Sequence, residues 1–369
     1  MTHDPRPFSP GIAGVIGAET AIGFVDGANG RLLYRGVPIE QVVAEGTYPS
    51  VAEFLLTGTF DPSARMACAP LSDGARQAIR ALSPGAHPMD ALRTGLSAHA
   101  ADAAFPWPPT PEQARELIGV APTILAAFAR HRHGLLPIEP DPSRGIADGF
   151  LFMLHGAAPL PSVARAIEAY LMACAEHGLN ASTFTARVIV ATRSDIGSAI
   201  VGAIGALKGP LHGGAPAEVI GQLAEIGGAD KAAAWARAKI EKRELIMGFG
   251  HRVYRAYDPR AAALRAVAEA MPTKPEWLAE AIAVEDEILR TFAEMKPDRP
   301  IKTNVEFYAA PVIAGTGLAP ELFPAAFALG RMAGWSAHVI EQAGQDKLIR
   351  PDARYVGPAE RSIDDARRD

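Results

Sequence analysis

From Ser162 onward, apolar residues recur at Val163, Ile167, Leu171 and Cys174, spaced i, i+4, i+8 and i+11. That period predicts one buried helical face, ending near Glu176-His177-Gly178. Helical signals of this kind fill most of the chain. Ser50 and Glu53 have capping-box spacing ahead of a stop at Gly58. Thr110-Pro111-Glu112-Gln113 offers an N-cap, a first-turn proline and a box partner, starting a helix expected to reach Gly134 with a bend at Pro122. Residues 102–109 before it read as a loop. Residues 180–208 predict one long buried helix or two abutting ones. Gly197, Ser198, Gly202, Gly205 and Ala206 make this stretch rich in small side chains, which predicts very close helix–helix packing. Further helices are expected near Ala217, after Asp230, at Asp258-Pro259, at Pro275-Glu276, near Thr303 and at Pro320, the last reaching Gly344.

Residues 12–35 alone read as β. Asp26-Gly27 and Asn29-Gly30 are turn dipeptides flanked by β-branched and aromatic residues, predicting a small hairpin or meander. The expected fold class is therefore mainly α with a small N-terminal β hairpin. Residues 217–300 carry more charge, in shorter helices, than the apolar stretch before them. This predicts a small domain, 215–307, set between two parts of a large helical domain, 1–214 and 308–369.

Composition narrows the class. The chain has 369 residues, 49% hydrophobic and 21% charged, with a net charge of −5. Mild acidity argues against a general nucleic-acid or bilayer binder. The longest apolar run, 196–207, is too short to span a membrane. Residues 1–10 lack the apolar core of a secretory signal. Cys68 and Cys174, without a CxxC pair, read as buried thiols in a reducing compartment. The expected location is the cytoplasm, and the charged run 361–369 is expected to fray.

Four pieces carry candidate chemistry. Gly209-Pro210-Leu211-His212-Gly213-Gly214 places a histidine in a glycine-flanked joint between helical patterns, where a ligand or backbone can approach closely. Gly248-Phe249-Gly250-His251-Arg252-Val253-Tyr254-Arg255 repeats the device, with Arg252, Arg255 and Arg260 within nine residues of His251. Asp258-Pro259 starts a helix, so Arg260 sits at the end where a cation opposes the dipole. Either a surface salt bridge or an anion answers that charge, and the neighbouring His251 favours the anion. Thr303-Asn304-Val305-Glu306 offers Glu306 as a reactive carboxylate or merely as the partner of a Thr303 capping box. Arg331 lies in an apolar run with no acid flanking it, and Arg350 precedes Pro351; each is an ion-pair member or a ligand contact. A metal held by His177, His212 and His251, or by the His131-Arg132-His133 pair, is disfavoured by surrounding arginines and the lack of a third ligand.

The segments GPLHGG, GFGHRVYRAYDPRA and NVEFY, in this order, resemble the three signature segments of the citrate synthase family. AETAIGFVDGANGRLLYRG and EHGLNASTFTAR resemble it too, so the similarity spans essentially the whole chain, in the short dimeric bacterial form. The resemblance implies an all-helical homodimer whose small domain closes over substrate. It implies conversion of acetyl-CoA to an enol, attack on the ketone of oxaloacetate, and hydrolysis of the thioester. His212 matches the histidine on the thioester oxygen, His251 the histidine on the oxaloacetate carbonyl, and Glu306 the base. His177, Arg260, Arg331 and Arg350 match the groups holding oxaloacetate and citrate, with Arg350 supplied by the partner subunit. Arg255 matches an arginine near the CoA phosphates. No metal or nicotinamide is implied; the CoA thioester is a substrate.

The chemistry is physically coherent. A thioester methyl is a weak carbon acid, so its base needs a donor at the developing oxyanion. A histidine ahead of a helix N-terminus stays neutral and can donate. Two departures stand out. The family most often has Asp where this chain has Glu306, a side chain longer by up to about 1.5 Å, and Gly178 follows His177 where Glu is expected. The first keeps open an inactive binding or regulatory protein. The second bears on which substrate fits, and 2-methylcitrate synthases, which take propionyl-CoA, share the same pattern.

Overall fold

The computed structural model describes residues 8–12, 14–212, 215–251, 254–271, 274–298, 301–363 and 367. Gly213, Gly214, Arg252 and Val253, singled out above, lie outside them, as do much of 1–10 and of the charged tail.

The turn dipeptides produce a three-stranded antiparallel meander, one strand more than a hairpin: β1 Gly23–Asp26, β2 Arg31–Tyr34 and β3 Val37–Pro38. Gly23 pairs with Tyr34 and Asp26 with Arg31, so Asp26 to Arg31 forms the turn. The described remainder is mainly helical. The first helices are α1 Ile39–Glu45, α2 Tyr48–Thr57, α3 Asp73–Ala81, α4 Pro88–Ala103, α5 Pro111–His131 and α6 Ile146–His155. Then come α7 Pro161–Cys174, α8 Ala181–Val190, α9 Ile196–Leu207, α10 Ala215–Ile226 and α11 Ala229–Glu241. The last are α12 Pro259–Ala270, α13 Trp277–Met295, α14 Val305–Ala314 and α15 Phe323–Gln345. No helix among the described residues is long and apolar enough to cross a membrane.

The punctuation explains most boundaries. Thr110 caps α5 through the Gln113 amide, and α5 continues through Pro122. Gly58, left-handed at φ 85°, ends α2. The box that starts α2 is one turn earlier than expected: Thr47 pairs reciprocally with Ser50, while Glu53 points to Arg115. Residues 180–208 form two helices rather than one, because Asp195 accepts the Ser198 N–H and caps α9 afresh.

Small residues in α9 do admit close neighbours. A Cβ on Gly202 would sit 2.1 Å from Ile189 Cδ1 of α8, and one on Gly197 2.3 Å from Ala100 Cβ of α4. Gly205 is the exception, with only Arg93 at 4.0 Å. The core centres on α15, buried along most of its length and packed against α2, α5, α7 and α8. Helix α12 bridges outward, touching α1, α7 and α14, and α11 packs on α13.

Candidate active site

One face of α15 forms the floor of the site. Arg331, Gly334, Trp335, His338 and Gln342 are spaced i, i+3, i+4, i+7 and i+11, a single helical stripe. Arg331 is 4% exposed. Its Nε and Nη1 have no hydrogen-bond partner among the described residues, and its guanidinium carbon lies 5.0 Å from the Phe327 ring centre. Burial pulls its pKa down, opposed chiefly by the charge of Glu176. A buried cation with open donors is costly unless an anion arrives to meet it.

Arg260 faces the same region from the first turn of α12. Its opposing charge comes from its own helix cap: Asp258 accepts Arg260 Nε at 3.0 Å and Nη2 at 2.7 Å. The expected salt bridge is therefore present, but the pair is buried, not on the surface. Burial alone would lower the arginine's pKa; Asp258 more than offsets this and raises it. Asp258 also accepts the Val305 N–H at 3.1 Å, tying the start of α14 to Arg260. From sequence Asp258 reads only as a cap, and this junction is not visible there.

His251 stands beside Arg260. Its Nδ1 accepts the Tyr254 N–H at 3.1 Å, which leaves the ring proton on Nε2. That nitrogen lies 3.5 Å from Arg260 Nη2, so the imidazole and the guanidinium stand side by side. His177 completes an aromatic triangle. Its ring centre is 5.7 Å from that of His251 and 5.5 Å from that of Tyr254, and its Nε2 lies 3.1 Å from the Tyr254 hydroxyl. Burial, then Arg260, lowers both histidines, His177 well below the ordinary value and His251 to about 4. Gly178, next to His177, is left-handed at φ 63° and donates its N–H to Glu176. That conformation favours glycine over the expected glutamate.

His212 is held from α8. The Ser182 N–H donates to its Nε2 at 3.2 Å, and Ser182 Oγ lies 2.8 Å from the same nitrogen. Ser182 Oγ also accepts Trp335 Nε1 at 3.0 Å and donates to Asn180 Oδ1 at 2.8 Å. With Nε2 occupied as an acceptor, the proton rests on Nδ1. Burial, then Arg331, lowers the imidazole to about 4, so the ring is neutral at pH 7. Ser182 and Asn180 were invisible as site residues beforehand, although they lie in the NAS run quoted above.

Glu306 is not a capping-box member. Asn304 caps α14, accepting the Glu306 N–H at 3.0 Å, and Thr303 Oγ1 has no hydrogen-bond partner among the described residues. Asn304 is itself fixed by Gly250 O at 2.7 Å and Gly248 O at 2.9 Å. The Glu306 side chain thus takes no part in capping α14. Burial pushes its carboxyl up to about 7; Arg260 and Arg331 oppose the rise, and Asp258 adds to it.

A cleft of about 720 Å³ opens from His251 and Tyr254 between apolar walls that include Ile240, Phe249 and Phe292. Arg243, Arg255, Lys296 and Lys302 line it together with Glu244 and Asp298, four basic side chains against two acids, and of the six only Arg255 was anticipated. Arg255 is anchored through its N–H to Gly27 O of the β turn at 2.8 Å. Arg350 is not brought to this cluster by a hydrogen bond or ion pair among the described residues; it is exposed beyond α15. His131, from the rival metal reading, binds Leu82 O at 2.9 Å. No group of three or more metal-type side chains converges among the described residues.

Residues 11–352 match the family model described as citrate synthase, C-terminal domain. The chain is 39% identical over 378 residues to "Putative citrate synthase 2" of Mycobacterium tuberculosis, covering 98% of this chain and 96% of that one. It is 38% identical over 380 residues to the 2-methylcitrate synthase of the same organism, covering 98% and 94%. Among solved structures, it resembles citrate synthase from Thermoplasma acidophilum in ternary complex with carboxymethyl coenzyme A and oxaloacetate. That likeness has a TM-score of 0.84 at 29% identity, covering 97% and 98% of the two chains.

Proposed function

Given that the chain belongs to the citrate synthase family, enzymes that form a carbon–carbon bond between an acyl-CoA and oxaloacetate, we propose how its side chains divide that reaction. Arg260 and Arg331 hold the carboxylates of oxaloacetate, with His177 beside them. The His251 Nε2–H and Arg260 Nη2 meet the ketone oxygen and polarise it. Glu306, ionised, takes a proton from the thioester methyl while His212 donates from Nδ1 to the thioester oxygen. The resulting enol attacks the polarised ketone, and water then hydrolyses the thioester. The observation that carries this reading is the buried Arg331 with two open donors, which an anionic substrate would complete.

The basic cleft beyond His251 fits the phosphates of CoA, with Arg255 among their contacts. CoA thioester is a substrate here, and the reaction runs without metal or nicotinamide. Residues 215–307 form the small domain that closes, on the large body of 1–214 and 308–369. The chain works as a cytoplasmic homodimer, with Arg350 completing the partner's site. An active enzyme is favoured over an inactive binding protein, because Glu306 is freed from capping and both histidines are held neutral in defined tautomers.

Acetyl-CoA is the proposed thioester, giving citrate. The 2-methylcitrate synthase relative supports propionyl-CoA as a second reading. One methylene in an apolar pocket changes specificity by only about 1–3 kcal/mol. Thiol release from acetyl-CoA and propionyl-CoA, each with oxaloacetate and a metal chelator, separates these readings. Release from neither refutes the enzyme assignment; a higher kcat/KM for propionyl-CoA moves it to 2-methylcitrate synthase.

A further inference from the structure

Glu176 lies just before His177 and is 1% exposed, yet no step above uses it. Its carboxylate is seated between two glycines on different elements. A Cβ on Gly23 of β1 would stand 2.7 Å from Oε1, and one on Gly334 of α15 2.7 Å from Oε2. A larger residue at Gly23 would displace it, whereas at Gly334 the added carbon would meet Ala175 O first, at 2.1 Å, and then the carboxylate. Gly334 is one turn along α15 from Arg331, on the same face.

Two N–H groups lie near Oε1. One is the Gly178 N–H, in a hydrogen bond. The other is His338 Nε2, 3.2 Å away but off the hydrogen-bonding direction. The His338 proton is on Nε2 because its Nδ1 accepts Arg187 Nη1 at 2.7 Å. Arg187 is itself fixed by Glu341 at 2.7 Å and Gln342 at 3.0 Å. A carboxylate seated in this way is held back from swinging toward Arg331. Meanwhile Arg331 keeps Nε and Nη1 without partners among the described residues, and Glu176 is the acid that acts on it most strongly.

We propose that Glu176 is a positioning residue for the anion site: a counter-charge that balances buried Arg331 without occupying the donors substrate must use. Its cradle of Gly23, Gly334, Gly178 and His338 seats it at Gly334, one helical turn along α15 from Arg331. The cost of burying Arg331 is then partly met before substrate binds, and the dianion is held less tightly than an unbalanced cation would hold it. This rests on the reading of the site as an oxaloacetate site.

Oxaloacetate binding to the full-length protein, by calorimetry and thermal shift without thioester, tests the proposal. Glu176→Gln keeps the shape and removes the charge. It is expected to lower the Tm of the free protein, and to bind oxaloacetate about tenfold more tightly, with a larger oxaloacetate-induced rise in Tm than wild type. Glu176→Asp keeps the charge and is expected to stay within about threefold of wild-type affinity. Equal or weaker binding by Glu176→Gln would overturn the proposal, as would a Glu176→Gln protein that stays unfolded at saturating oxaloacetate, since a purely structural role predicts no anion rescue. Wild type that fails to bind oxaloacetate refutes the substrate assignment, and the inference with it.

Discussion

The backbone N–H of Ser182 points at Nε2 of His212 from 3.2 Å. A side-chain hydroxyl can reverse its role by rotating, whereas an amide N–H can only donate. This contact therefore fixes the proton of His212 on Nδ1. The lowered pKa, about 4, keeps the ring from taking a second proton near neutral pH.

His212→Ala should leave oxaloacetate affinity within about threefold of wild type while reducing kcat by roughly 10²–10³-fold, the usual cost of losing one oxyanion donor. Ser182→Ala, which keeps the backbone N–H, should cost less than about tenfold. Calorimetry beside steady-state rates checks both. Equal loss of binding and turnover in His212→Ala would mean that His212 holds oxaloacetate instead.

Glu306 must be ionised to accept a proton, and burial places its pKa at about 7. The value of kcat/KM should therefore rise through pH 7 and flatten above it. His212 and His251, at about 4, remain neutral across that range and add no second limb there. A profile that is flat between pH 6 and 8 would remove Glu306 from the role of base.

Glu306→Asp tests whether the chain is built for the longer acid. The start of α14 is pinned by Asp258 to the Val305 N–H and by Asn304 to Gly250, so its backbone cannot advance to compensate. The shorter carboxylate would fall about 1 Å or more from its target, which costs on the order of a hundredfold in kcat. A Glu306→Asp protein as fast as wild type would show that the site has slack.

The same raised pKa is a stability penalty. An acid with a folded pKa above its unfolded value, near 4.5, leaves the folded state unpenalised below that value. The penalty grows as pH rises and is complete above about 7. Glu306→Gln should therefore stabilise the fold at pH 8 by up to about 3 kcal/mol, and by almost nothing at pH 4. The three lowered histidines act oppositely: their unfolded pKa of 6.5 makes stability fall as pH drops from 6.5 toward 4. Denaturant titrations across pH 4–8 resolve the two slopes.

How much of this was legible beforehand depends on range along the chain. Helix existence followed from local period and caps, and Thr110, Asp258 and Gly58 acted as their types predict. Where two polar residues could cap, the one immediately before the first helical residue does so, Thr47 and Asn304. Glycine-flanked His212 and His251 stood out by composition. Their supports did not: Trp335 lies 153 residues from Ser182, and His338 is 151 residues from Arg187. Such partners are chosen by the packing of α8 on α15, which no local pattern encodes. Glu176 looked like an ordinary acid at a helix end until Gly23 and Gly334 were seen to make room for it.

Helix α15 has 23 residues, a rod about 34 Å long, and its one stripe supplies the open guanidinium, the space for Glu176, the indole behind Ser182 and the imidazole before Arg187. Each added or removed residue turns everything beyond it by about 100°. A single deletion between Arg331 and His338 would thus dislodge several supports together, whereas a substitution disturbs only one. The segment is one in which sequence can drift but length cannot.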